Sequence, residues 1–90
     1  MIVKVKEGLL LKEIAGQWVL VPTGDAALEM NNIITLSSSA AMLWKELEKG
    51  VDSLEHLANA LLDEYEIDYR TALRDSEEFA AQLKDNGMLE

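Results

Sequence analysis

Apolar residues up to Leu36 follow the pattern of strands, and from Ala40 onward they follow the pattern of helices. The change falls on three consecutive serines, Ser37, Ser38 and Ser39. Before it, LLLKEIA (9–15) and QWVLVPT (17–23) are rich in branched and aromatic residues, as strands are. Gly16-Gln17 between them predicts a two-residue hairpin loop, with the glycine supplying the positive φ of a type II′ turn. In the second run Trp18, Leu20 and Pro22 share one face, and Gln17, Val19 and Val21 the other. Pro22 donates no backbone hydrogen bond, so it belongs at a strand end or on an edge. GDAALEMN (24–31) reads as a polar connection, and NNIITL (31–36) as a third strand.

After the serines, Ala40, Leu43, Trp44 and Leu47 lie on one face of a helix, with Ser37 as its N-cap and Gly50 as its stop. Leu54, Leu57, Ala58, Leu61 and Tyr65 predict the inner face of a second helix, capped either by Asp52 with Glu55 three residues on or by Ser53. Asp68 is the expected cap of a third, whose inner stripe is Ala72, Leu73, Ser76, Phe79, Ala80 and Leu83. Gly87 suits a helix C-cap, with Met88 and Leu89 folding back onto the helix. The expectation is one α+β domain over residues 1–90, a three-stranded antiparallel meander followed by three helices.

Charge and composition exclude several functions. Residues 45–90 hold five bases and thirteen acids, and the whole chain carries −9. Such a surface repels phosphate backbones, so a nucleic-acid partner is not expected. There is no cysteine, and the single histidine, His56, cannot build a histidine metal cluster, so no metal or cofactor is expected. No apolar run approaches the ~20 residues of a membrane span, and MIVKVKEG does not read as a signal peptide. A soluble cytoplasmic protein is the expectation. Residues 31–44 carry no charge, which predicts a strand and a helix start that are buried or face a partner. The core of so small a domain is thin, so a partner helps it, and a homodimer is among the expected states.

Residues 51–65, VDSLEHLANALLDEY, contain Asp52-Ser53-Leu54, the tripeptide at which acyl carrier proteins hold phosphopantetheine. Carrier proteins are all-helical, whereas this chain spends its first third on strands, and a serine at this place also suits an N-cap. Ser37, Ser38 and Ser39 have no activating histidine, lysine or GxSxG context. Acids at 63, 64, 66 and 68 lack the glycine and distal glutamate of a calcium loop. No catalytic constellation is visible, and an enzyme is not expected.

The order of elements resembles the PqqD family, also known as the RiPP precursor-peptide recognition element. The resemblance rests on LLLKEIAGQWVLVP, then Leu36, Ala40, Leu43-Trp44 and Leu47, then Gly50 with the turn into VDSLEHLANALLDEY, and DSEEFAAQLKDNGML at the end. It implies a winged-helix-like, non-catalytic adaptor that binds the leader segment of a precursor peptide and presents it to a modifying enzyme, often a radical SAM protein. The leader is implied to add as a strand beside Asn32, Ile33, Ile34, Thr35 and Leu36. Its groove is implied to be walled by Leu73, Ser76, Glu77 and Ala80. Ser37 stands where many members of the family carry asparagine, and Pro22-Thr23 where members of the quinone pathway carry Pro-Glu, which points to another peptide-modification cluster.

A winged-helix DNA-binding regulator is the rival that shares this fold class. Arg70, Arg74 and Lys84 on the third helix face four acids, Asp75, Glu77, Glu78 and Asp85, so it is no basic recognition helix.

Overall fold

The computed structural model describes residues 3–29, 33–50 and 53–90. The opening hairpin is β1 (Leu9–Ile14) and β2 (Gln17–Pro22), followed by a short helix α1 (Asp25–Glu29) and β3 (Ile34–Leu36). Helices α2 (Ser38–Glu48), α3 (Leu54–Glu64) and α4 (Tyr69–Asp85) complete the chain. The described strands form one antiparallel sheet in the order β1-β2-β3, as the meander predicts. Asn31 and Asn32, which the sequence reading puts in the third strand, lie outside the described residues, as does the alternative cap Asp52.

The hairpin differs from expectation by one residue. Ile14 pairs with Gln17, so the loop is Ala15-Gly16 and not Gly16-Gln17. Both loop residues have positive φ, 52° and 79°, which is the signature of type I′ and not II′. Type I′ matches the twist of the strands, but it forces an alanine into the left-handed region at a cost of about 1–2 kcal/mol. Asparagine tolerates that region, so Ala15→Asn is expected to stabilise the protein by about 0.5–1 kcal/mol, read as a higher urea midpoint with unchanged slope.

The connection after β2 is not the plain polar loop expected from GDAALEMN, because Asp25–Glu29 forms a turn of helix. Ala26 N–H donates to the Thr23 carbonyl at 3.1 Å, and Asp25 supplies a carboxylate in the first turn. Gly8 makes room for this helix. A Cβ on Gly8 would come within 2.9 Å of Ala26 Cβ, while Gly8 itself has φ of 88°. Its carbonyl accepts from both the backbone N–H and the hydroxyl of Thr23, at 2.7 and 2.9 Å.

Ser37 and Asp68 cap α2 and α4 as expected, and Ser53, one of the two candidates, caps α3. Ser37 Oγ accepts from Ala40 N–H at 3.1 Å, Ser53 Oγ from His56 N–H at 3.2 Å, and Asp68 Oδ1 from Thr71 N–H at 2.8 Å. The bonds from Thr71 hold the Asp68 carboxyl below its ordinary value of 3.8. A carboxylate with a lowered folded-state pKa supports the fold above its unfolded value, and that support is lost as pH falls through the folded value. Protection of the Thr71 amide is therefore expected to fall on acidification below about pH 4, and to be independent of pH there in Asp68→Asn. Ser53→Ala removes an acceptor from α3 and is expected to cost about 0.5–2 kcal/mol in thermal or urea unfolding.

Helix faces follow the predicted stripes. Leu43, Trp44 and Leu47 of α2, Leu54, Leu57, Ala58 and Leu61 of α3, and Ala72, Ser76, Phe79, Ala80 and Leu83 of α4 are buried. They meet Leu20, Ile34 and Leu36 from the inner face of the sheet. Tyr65 departs from its stripe: it is the C-cap of α3, has an extended backbone, and is exposed. Trp44 Nε1 is buried without an acceptor among the described residues, so the packing of its ring has to offset the cost of that unpaired donor.

α4 ends in a Schellman motif. Met88 N–H donates to the Leu83 carbonyl at 2.9 Å and Gly87 N–H to Lys84 at 3.0 Å, with Gly87 at φ 71°. Met88 folds back and is fully buried, as expected. The N-terminal segment then pairs with this end. Val5 bridges Leu89, Lys6 N–H donates to the Met88 carbonyl at 2.9 Å, and Glu90 N–H to Lys4 at 2.8 Å. Val3 is buried in the same cluster, so residues 3–6 act as a strap across the C-terminus of α4.

Candidate functional site

In the sheet, β2 lies between β1 and β3, so among the described residues β3 has a partner on one side and an edge on the other. The pairing register tells which backbone groups face that edge. In an antiparallel ladder, opposed residues alternate between pairs that exchange hydrogen bonds and pairs that do not. The two-residue loop makes Ile14 and Gln17 a bonded pair, since a β-turn bonds its first and fourth residues. Lys12 with Val19 and Leu10 with Val21 follow as bonded pairs. The phase is checked one step further on, where Thr23 N–H donates to the Gly8 carbonyl at 2.7 Å.

It follows that Trp18 and Leu20 turn their backbone groups the other way, toward β3, where they oppose Leu36 and Ile34. Ile34 and Leu36 therefore spend their N–H and C=O groups on β2. Thr35 opposes Val19 in the non-bonded position, so its N–H and C=O point to the edge. Ile33, one residue before β3, repeats the direction of Thr35. Among the described residues, no backbone bond of a turn, loop or cap ends on Ile33 or Thr35. Pro22 also fits this phase: it opposes Leu9 in a non-bonded position, beyond the residues at which β2 pairs with β3. The missing N–H costs the hairpin nothing.

Side chains alternate with the same period. Ile34 and Leu36 are buried against the helices, whereas Ile33 and Thr35 are exposed on the opposite face, Ile33 by 64%. Of the strand residues expected at the site, Asn32 lies outside the described residues, two offer side chains to the core, and two offer backbone to the edge.

The α4 residues expected to wall a groove divide similarly. Ser76 is fully buried and its hydroxyl donates to the Ala72 carbonyl at 2.9 Å, which leaves its side chain inside the helix packing. Leu73 is half-buried against the core, Ala80 is buried, and Glu77 is exposed. Glu77 and Ala80 line a concavity of about 360 Å³ together with Leu54, Ala81 and Lys84. Those last three were not expected from sequence. Ala81 and Lys84 lie four and seven residues beyond Glu77, on the same flank of α4, so helical spacing was the signal that could have found them. A second concavity, of about 340 Å³, runs between α2 and α3 and holds His56, Lys45, Lys49, Glu46, Asp63 and Glu64. Among the described residues, β3 lines neither. On that side Lys45 Nζ lies 4.5 Å from the centroid of the Trp18 ring, and Lys49 pairs with Glu46 at 3.2 Å.

Among the described residues, no group of three or more histidine, cysteine, aspartate or glutamate side chains could hold a metal ion. None of their helices is long and apolar enough to cross a membrane.

Two solved structures share this fold. One is described as TbiB1 in complex with the TbiA(beta) leader peptide; it is 24% identical, with a TM-score of 0.75 over 97% of this chain and 94% of that one. The other is lasso peptide synthetase B1 complexed with the leader peptide, also 24% identical, with a TM-score of 0.74 over 98% and 96%. Comparison with curated proteins gives no match. The family profile described as coenzyme PQQ synthesis protein D (PqqD) matches residues 17–89, from the first residue of β2 to Leu89, which bridges the N-terminal strap, and the chain belongs to that family.

Proposed function

We propose that the protein is a non-catalytic adaptor that holds the leader segment of a ribosomally made precursor peptide as an additional strand beside β3 and presents it to a modifying enzyme. The observation that carries this reading is the outward phase of Ile33 and Thr35 at the edge of the sheet, where a ligand strand gains main-chain hydrogen bonds. Family membership supports it, and so do the two structures of the same fold, each described as a complex with a leader peptide. Ile33 and Thr35 contribute backbone, and Ile34 and Leu36 hold the strand on the core. From α4, Leu73 and Glu77 are the residues that retain exposed surface for the ligand, with Ala80 and Ser76 fixing the wall behind them. The adaptor works in the cytoplasm, in a peptide-modification cluster outside the quinone pathway.

The test is titration of the ¹⁵N-labelled protein with a candidate leader peptide. The largest amide shifts are expected at 33–36 and along 73–80. Shifts confined to α2 and the first turn of α3 would overturn the reading. Ser53 is expected to stay unmodified by a promiscuous phosphopantetheinyl transferase with coenzyme A, because its hydroxyl serves the N-cap of α3. Intact mass reads the result, and an adduct lost in Ser53→Ala would sink this expectation.

A further inference from the structure

The register that aims the backbone of Ile33 and Thr35 at the edge also places their side chains on the face of the sheet away from the helices. Thr35 lies opposite Val19, and Val19 opposite Lys12, so these three share that outer face. Val21 and Leu10 oppose one another on it two residues away, and Ile33 stands next to them in the alternation. The outer face is mostly apolar around Ile33: Leu10 is 44% exposed, Ile33 64%, and Val19 is buried outside the main core cluster. Lys12 is the charged residue of this row, on the far strand of the sheet. From a strand added beyond β3 it is about three strand spacings away, roughly 15 Å, which exceeds the screening length of about 8 Å at physiological salt. The face measures roughly 15 Å by 20 Å, about 300 Å², well under the ~800 Å² per partner of a stable dimer. A second copy of the chain is therefore a poor occupant, whereas one more strand extends the face by its own width.

We propose that Ile33 is a specificity-determining residue for the bound peptide. It selects an apolar, β-branched or aromatic side chain at the ligand position beside it on the solvent face of the sheet. The inference rests on the strand-addition reading and deepens it. An added strand alternates its side chains whatever its direction, so every second residue lies on the outer face beside Ile33 and Thr35. The residues between them point toward the helices. The ligand is thus read on two faces, and the outer reading depends on Ile33, the more exposed and more apolar of the two edge side chains. Opposed side chains on one face of a sheet are the unit by which strands recognise one another.

The experiment selects a displayed library of random linear dodecapeptides against the wild-type protein, Ile33→Glu and Ile33→Lys. Circular dichroism confirms that the variants are folded, as expected for an exposed position outside the core. Wild type is expected to enrich peptides with apolar residues at alternate positions. Ile33→Glu is expected to convert one of those columns to lysine or arginine, and Ile33→Lys to convert the same column to aspartate or glutamate, with the other columns unchanged. A dodecapeptide selected by wild type is expected to bind Ile33→Glu about two- to five-fold more weakly. Identical columns for all three proteins would overturn the role of Ile33 and leave strand addition standing. Failure of wild type to enrich any peptide would overturn the adaptor reading, and this inference with it.

Discussion

Thr35→Pro is expected to weaken leader-peptide binding by about ten- to a hundred-fold while the protein stays folded, and Ile34→Pro is expected to damage the fold whether or not peptide is present. The two positions are neighbours, and the difference between them comes entirely from the phase of the ladder. Thr35 N–H faces the edge, so proline there removes a donor that the sheet does not use. Its ring also restricts the preceding residue to extended backbone, which Ile34 already has as a strand residue. Ile34 opposes Leu20 in a bonded pair and is buried among the helices. Proline at that position breaks a ladder bond and deforms the core at once. An unmade buried hydrogen bond costs about 1–3 kcal/mol, and this sets the size of the expected loss at Thr35 once a ligand strand covers the edge. Calorimetric titration reads the affinity and thermal melts read the fold. Equal loss of affinity in both variants with equal melting temperatures would mean that the edge of β3 is not where the peptide lies.

That contrast was beyond the reach of the sequence, and the reason is instructive. Which amide points outward depends on the phase of the β2–β3 ladder, and this phase is inherited from the hairpin loop. The sequence offered one glycine and suggested that it came first in the loop; the chain instead puts Ala15 at φ 52° ahead of Gly16. A loop one residue earlier shifts the whole register of β1 against β2, although the faces of β2 read from alternation remain correct. Faces, caps and helix stripes are local, and spacing alone named Ser37 and Asp68 as caps and the Leu54–Leu57–Leu61 stripe, while it left the cap of α3 between Asp52 and Ser53. The strap is not local. Val3 and Val5 do alternate, but nothing in their sequence says that they meet Met88 and Leu89 at the other end of the chain. The five-residue helix α1 is too short to show a period. At the candidate site, spacing could find the α4 flank but could not separate contact from support. Ser76 and Ala80 are small because the helix packs closely there, and small residues suit a groove wall just as well.

Met88→Ala is expected to cost about 2–5 kcal/mol, the usual range for truncating a fully buried long apolar side chain. In a domain of this size that corresponds to a fall in melting temperature of roughly 8–40 °C. Met88 is placed where three things meet. Its N–H closes the Schellman motif on the Leu83 carbonyl, its carbonyl accepts from Lys6 N–H, and its side chain is fully buried in the cluster that also holds Val3. Truncation leaves the two backbone bonds chemically possible but removes the packing that holds them together. Gly87→Ala separates these contributions. It keeps the Met88 side chain and strains only the backbone, where φ is 71°, so it is expected to cost about 1–2 kcal/mol. Hydrogen exchange locates the damage: the amides of Lys6 and Glu90 should lose protection in Met88→Ala before those of Leu57 or Leu61 on α3. The strap and the end of α4 would then open as one unit, because each supplies the buried surface that the other needs. Full protection of Lys6 in Met88→Ala would instead mean that the strap stands on its own hydrogen bonds, and that outcome would overturn the coupling argued from the burial of Val3 and Met88 in one cluster.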